Sequence, residues 1–176
     1  MSQSETFSIA EGRKVMDVMR GESDRGCVLV GASLIEWQLG ELLRREFTRR
    51  HEKPDASLLN QIDVMLNPMA EKSILGAVAA RARMCRVLKL IDEGLHTALK
   101  QFFAFRNKYF AHAREDVSFQ DEGIKTSIDE LIELMPMPLS RLIEVLGREP
   151  NERDKVCHII ACFSVHIQEE MESPSE

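Results

Sequence analysis

Aromatic residues are scarce in this chain, at 6% of 176 positions, with a single tryptophan and a single tyrosine. Sustained two-residue alternation of apolar and β-branched residues is missing as well, which excludes sandwiches and barrels, and no segment recurs at a fixed spacing, which excludes repeat arrays. Uninterrupted apolar runs stay short of the roughly 18 residues that a membrane span demands. Cysteine is limited to Cys27, Cys85, Cys157 and Cys162, with no CxxC pair and nothing at the N-terminus that reads as a signal peptide. These are the marks of reduced core thiols in a cytosolic protein, not of a disulfide framework or a zinc site. Cys157, His158, Cys162 and His166 do crowd into ten residues, but their spacing matches no known zinc pattern, and no metal or other cofactor is expected. Positive charge is also in deficit: 23 Lys and Arg face 29 Asp and Glu, for a net charge of −6. A broad phosphate-neutralising surface is therefore not expected. Phosphate loops, dinucleotide fingerprints, nucleophile elbows, HExxH helices and calcium loops are all absent, as is any recognisable helix-turn-helix, zinc finger or basic zipper. ATP hydrolysis, nicotinamide redox chemistry and zinc proteolysis are set aside on that ground.

What remains is rich in leucine, alanine, methionine and glutamate. Hydrophobic residues make up 44% and charged residues 30% of the chain, a globular balance, and a chain of this length buries roughly 70% of its unfolded surface. The expectation is a single all-α domain of seven or eight helices. Within it, residues 1–22 form an N-terminal arm and short helix carrying Phe7, Ile9, Val15, Met16, Val18 and Met19. Residues 23–134 form the core, 135–172 the C-terminal helices and 173–176 a solvated tail. The strongest helical signal starts at Ser23 or Asp24, either of which can cap the orphan amides, and runs to about Arg50. Cys27, Val30, Leu34, Trp37 or Gln38, and Glu41 or Leu42 trace its turns, and Trp37 reads as core. Gly26, Gly31 and Gly40 each weaken that helix by roughly 1 kcal/mol relative to alanine, which implies close approach of a neighbour. Pro54-Asp55 starts the next helix, and Asn67-Pro68 breaks it. A helix over 71–91 carries Ile74, Val78, Met84 or Cys85, Leu88 and Ile91 inward and most of its arginines outward. Asn151 stands where an N-cap belongs for the last helix.

Two groups of residues stand out as candidate sites. The first is the stretch FRNKYFAHARED, which sets Arg106, Asn107 and His112 inside an otherwise apolar helical region. A histidine can take a proton from a ribose hydroxyl while a guanidinium holds the phosphate, so a converging Arg106 and His112, oriented by Asn107, would cut RNA without a metal. On a regular helix six positions rotate the two side chains about 120° apart, so convergence needs a wide cleft or a distorted helix end. The competing reading makes them buried polar glue, with Arg106 paired to Asp24 or Glu36. The second group is basic: Arg44, Arg45, Arg49 and Arg50 at the end of the long helix, and Arg81, Arg83 and Arg86 on the helix after the break. These are the candidate binding surface for a nucleic acid, or else a solvated polar face.

Three blocks stand out, GESDRGCVLVGASLIEWQLGELLRREF, LGAVAARARMCRVLKLI and RNKYFAHAREDVSF, within a match that covers about residues 14 to 125. In order and spacing they resemble the mannitol-operon repressor family of bacterial proteins. That resemblance implies an all-helical bundle and a non-enzymatic role in transcriptional regulation, through a protein partner or, less favoured, direct DNA binding. It also implies a structural role for Asp24 and Arg25 at the acidic-Arg-Gly helix start. The Arg106-Asn107 pair followed by His112 further resembles the HEPN superfamily, helical domains whose Arg and His form a dimeric ribonuclease site, which makes a metal-independent endoribonuclease or RNA-binding toxin or defence domain the alternative. A homodimer suits either reading.

Overall fold

The computed structural model describes residues 14–51, 53–70, 73–112 and 117–172. Among these there are eight α-helices and no strand. They are α1 (14–20), α2 (Asp24–Arg49), α3 (Ala56–Leu66), α4 (Val78–Val87), α5 (Glu93–Arg106), α6 (Glu122–Ile132), α7 (Leu139–Leu146) and α8 (Glu152–Glu172). One π-turn, Asn107–Ala111, extends α5. The all-α bundle is thus as expected. Phe7, Ile9 and the tail 173–176 lie outside the described residues.

Local chemistry sets the starts of these helices. Ser23 accepts a hydrogen bond from the Gly26 amide at 2.9 Å, Asp55 from Leu58 at 2.7 Å and Asp92 from Leu95 at 2.7 Å. Each satisfies one of the amides that a helix start leaves without an intrahelical partner. At α8 the cap is reciprocal: Asn151 Oδ1 accepts from the Asp154 amide and the Asp154 carboxylate accepts from the Asn151 amide. Gly147, with φ +65°, closes α7 in the left-handed conformation that favours glycine.

Helix α2 is the hub, packed by α8 on one side and α4, α3, α5 and the π-turn around it. An 18-residue window of α2 reaches a mean hydropathy of 1.3, enough in length and composition to cross a membrane, although the sequence has no unbroken apolar run of that length. In the fold, 56% of that window is buried under other helices, as the central helix of a bundle requires. The closest approach is at Gly31, where a Cβ would stand 2.3 Å from Ile160 Cδ1 of α8. Two turns further on, Gln38 Nε2 donates to Ser164 Oγ at 2.8 Å, fixing the register of the two helices.

The buried face of α2 is Cys27, Val28, Gly31, Ala32, Ile35, Gln38, Leu39, Gly40, Leu42, Leu43 and Glu46. It is rotated from the expected one: Val30 and Trp37 are exposed, at 39% and 60%. Trp37 is therefore not core. Helix α4 is also shorter than the 71–91 expectation. Ser73 Oγ and the Leu75 amide both donate to the Met65 carbonyl, which ties the preceding link to the end of α3 and turns Leu75 inward while Ile74 faces solvent. At its other end the chain leaves the helix at Leu88, with Lys89 at φ 59°.

Candidate functional site

The segment containing Arg106 and His112 owes its shape to aromatic packing. On an α-helix Phe105 and Phe110 would be about 140° apart. The π-turn widens the backbone so that positions five apart come into line. The two rings meet at 5.2 Å between centroids, and Phe110 also packs on Phe119 at 5.9 Å. Tyr109 Oη donates to the Gly123 carbonyl at 3.1 Å and pins the turn to α6. His112 follows at the end of the turn, exposed, with φ −121° and ψ 12°. Asn107 is exposed, and its Oδ1 accepts from Arg106 Nη1 at 2.9 Å. Arg106 is half-buried, and its Nε is enclosed without a hydrogen-bond partner among the described residues. No hydrogen bond among the described residues joins His112 to Arg106 or Asn107. The distorted helix end that convergence needs is present; the contact itself is not.

The expected pairing of Arg106 with Asp24 or Glu36 is replaced by two other arrangements. Asp24, in the first turn of α2 beside the half-buried Arg25, accepts from the Phe119 amide at 2.7 Å and pairs with Arg153 of α8. Arg153 also donates to the Glu22 carbonyl and lies 5.7 Å over the Phe119 ring. Glu36 instead gives its backbone carbonyl to Arg81 Nη1 at 2.8 Å. Asp24 thus joins the start of α2, the start of α8 and the link into α6, and the aromatic turn leans on that junction.

The candidate basic surface is largely consumed by acids. Arg44 pairs with Asp63 and Glu41, Arg86 with Glu93 at 2.8 Å, and Arg49 and Arg50 both with Glu46, at 2.8 Å each. Burial pushes the Glu46 carboxyl up, but the Arg49 and Arg50 guanidiniums outweigh it and hold the group below the ordinary carboxylate range. Arg81 is not on the surface: it is 6% exposed and donates to the carbonyls of Leu75, Glu36 and Leu66. Three converging carbonyls satisfy the guanidinium fork, and the Glu36 carboxylate, 4.0 Å from Nη1, balances its charge, which together permit burial of an arginine. Arg45 and Arg83 remain exposed with no acidic partner among the described residues. Two isolated cations do not make the continuous stripe that a nucleic-acid backbone needs.

Two concave regions were not foreseen. A groove of about 380 Å³ runs between α2 and α3, with exposed Trp37 at its edge, Gly40, Arg44, Asp63 and Leu66 along it, and Arg81 beneath. A mostly apolar cavity of about 420 Å³ lies between α7 and α8, lined by Met137, Leu142, His158, Cys162 and His166 among others. His158 and Cys162 form a close pair there, with Nε2 to Sγ at 3.5 Å. Burial lowers the His158 pKa and pushes the Cys162 thiol up to about 12, so the pair is neutral and the sulfur is not an activated nucleophile. No cluster of three or more potential metal ligands occurs among the described residues.

Set beside known structures, the bundle superposes on a chain in the X-ray structure of the MtlR–HPr complex from Escherichia coli, MtlR being a mannitol operon regulator, with a TM-score of 0.63. The fold is MtlR-like. The superposition covers 88% of this chain and 99% of that one, at 16% sequence identity. No family model and no curated protein matches the chain. The all-helical fold implied by the three blocks is therefore found, and the likeness to that structure is one of geometry far more than of sequence.

Proposed function

We propose that this chain is a non-enzymatic regulatory protein of the mannitol-operon repressor type, acting in transcriptional control by docking a partner protein, in the cytoplasm and as a homodimer. The observation that carries the reading is Trp37. A tryptophan 60% exposed on the central helix of the bundle adds little to folding. Beside a groove edged by Arg44, it has the composition of a binding hot spot, in which buried Trp and Arg anchors supply most of the affinity. The MtlR neighbour, solved together with HPr, supports a protein as the partner class. The neutralised arginines weigh against DNA.

HPr from Escherichia coli is the probe for calorimetric titration. Trp37→Ala is expected to weaken binding about tenfold or more while leaving the melting midpoint within the small range typical of surface substitutions. Equal affinity of wild type and variant removes the groove as the docking site. Salt-steep retention of duplex DNA that depends on Arg45 and Arg83 replaces the protein-docking reading with direct DNA binding.

A ribonuclease reading is the second, favoured by the exposed His112 on a π-turn and by the unpartnered Arg106 Nε, since π-turns recur at functional sites. Incubated with single-stranded RNA in EDTA, the wild-type protein is expected to leave the substrate intact. Metal-independent cleavage that vanishes in both Arg106→Ala and His112→Ala, with melting midpoints unchanged, overturns that expectation and makes the segment an active site.

A further inference from the structure

We propose that Cys27 and Cys157 are a redox-sensitive pair that closes into a disulfide between α2 and α8 when the protein meets hydrogen peroxide. Their sulfurs lie 3.8 Å apart, in the first turn of α2 and the second of α8, at 0% and 1% exposure. A disulfide requires about 2.05 Å, so the gap to close is under 2 Å, within reach of side-chain rotation where two helices already pack closely. Packing is close here: one turn beyond Cys27, Gly31 leaves no room for a Cβ against Ile160. Cys85 and Cys162 offer a contrast, because no second sulfur lies within bonding distance of either and burial raises both thiols to about 12.

Electrostatics favour one member as the attacking group. The hydrogen bond from Cys27 holds the Cys157 thiol below its ordinary range, and the Arg153 guanidinium adds to this, while Cys27 is pushed up by the same contact and by burial. Cys157 is accordingly the nucleophile. Its thiolate attacks one peroxide oxygen, forming the S–O bond as the O–O bond breaks, and the departing hydroxide takes up a proton as water. Cys27 then attacks the sulfenic sulfur; the S–S bond forms, the S–O bond breaks, and the leaving hydroxide accepts the Cys27 proton. Two thiols lose two electrons and two protons, and one peroxide becomes two waters. Burial selects the oxidant: peroxide is small and uncharged, and enters through opening at the start of α2, whereas glutathione disulfide is too large for a sealed contact. The bond would clamp α2 to α8 one turn from the Asp24–Arg153 ion pair, at the junction that supports the aromatic turn.

The full-length protein is treated with hydrogen peroxide, quenched, and measured by intact mass and by non-reducing peptide mapping. The expected result is loss of two hydrogens, a peptide linking Cys27 to Cys157, a melting midpoint raised by several degrees, and reversal of all three by dithiothreitol. Cys27→Ala and Cys157→Ala should each abolish the link, and Cys85→Ala and Cys162→Ala should keep it. Since a buried substitution can disturb the fold, wild-type mapping decides alone. Unchanged mass even near the onset of melting, oxygen adducts without the link, or a link between other cysteines overturns the proposal.

Discussion

Replacing Arg81 with alanine is expected to lower the melting midpoint by about 10 °C, one of the two largest effects of any single substitution considered for this chain. The guanidinium is nearly sealed and holds three carbonyls from three segments: Leu75 in the link before α4, Leu66 at the end of α3, and Glu36 within α2. Removing it strands those oxygens, at about 1–3 kcal/mol for each that water cannot reach. Glu36 also keeps its intrahelical bond, and the adjoining groove admits solvent, so a total of about 3–5 kcal/mol is the appropriate scale. For a chain of this size each kcal/mol shifts the midpoint by roughly 2–4 °C. Arg81→Lys should recover less than half of the loss, because an ammonium on a flexible stem cannot span three acceptors in a planar fork. Thermal unfolding followed by circular dichroism checks both variants. A midpoint for Arg81→Ala within 2 °C of wild type would show that the carbonyls find other partners and that the bond network is dispensable.

That experiment also separates two ways of losing partner binding. Arg81 forms the floor of the groove that Trp37 borders, so its removal should disturb docking by loosening the α2–α3–α4 contact. Trp37→Ala should act with the scaffold intact. Midpoint and affinity move together in the first case and apart in the second.

Much of the bundle is legible in the sequence because helix starts and stops are local events. Ser23, Asp55, Asp92 and Asn151 cap where a short polar side chain precedes an apolar period, and Gly31 does mark a close helix contact. What the sequence conceals is non-local. Helix α2 is apolar around most of its circumference, so periodicity does not select its buried face, and Trp37, Val30 and Leu34 are all plausible inward choices. Arg81 reads as an outward arginine because its acceptors lie 6, 15 and 45 positions away and converge only after folding. Asp24 meets Arg153 across 129 positions, a pairing no short motif announces. The π-turn is hidden for a related reason: it follows from Phe105, Phe110, Phe119 and Tyr109 packing together, and two of those contacts reach residues beyond the segment. The basic clusters, conspicuous in one dimension, lose most of their meaning once Glu46, Asp63 and Glu93 are placed beside them.

Phe110→Ala is the substitution that decides whether the Arg106–His112 segment is a structural or a chemical feature. Phe110 is fully buried and touches Phe105, Tyr109 and Phe119, the last of which is bound through its backbone amide to Asp24. Truncating a buried phenylalanine costs about 3–5 kcal/mol, the lost transfer energy plus the cavity left behind, so a midpoint drop of about 10 °C is expected here too. Because the ring is what draws positions 105 and 110 into line, the π-turn should relax, and backbone amides over 107–112 should exchange with solvent faster than in wild type at matched global stability. His112→Ala, by contrast, removes an exposed ring, and its effect on stability should stay within about 0.5 kcal/mol. The pair of variants therefore has opposite signatures: one melts the segment without touching its polar groups, the other deletes a polar group and leaves the segment standing. Were His112→Ala to destabilise as much as Phe110→Ala, the imidazole would be part of the packing, and no chemistry at that position would remain to be explained. With the expected contrast in hand, any loss of activity in His112→Ala reports on the ring itself.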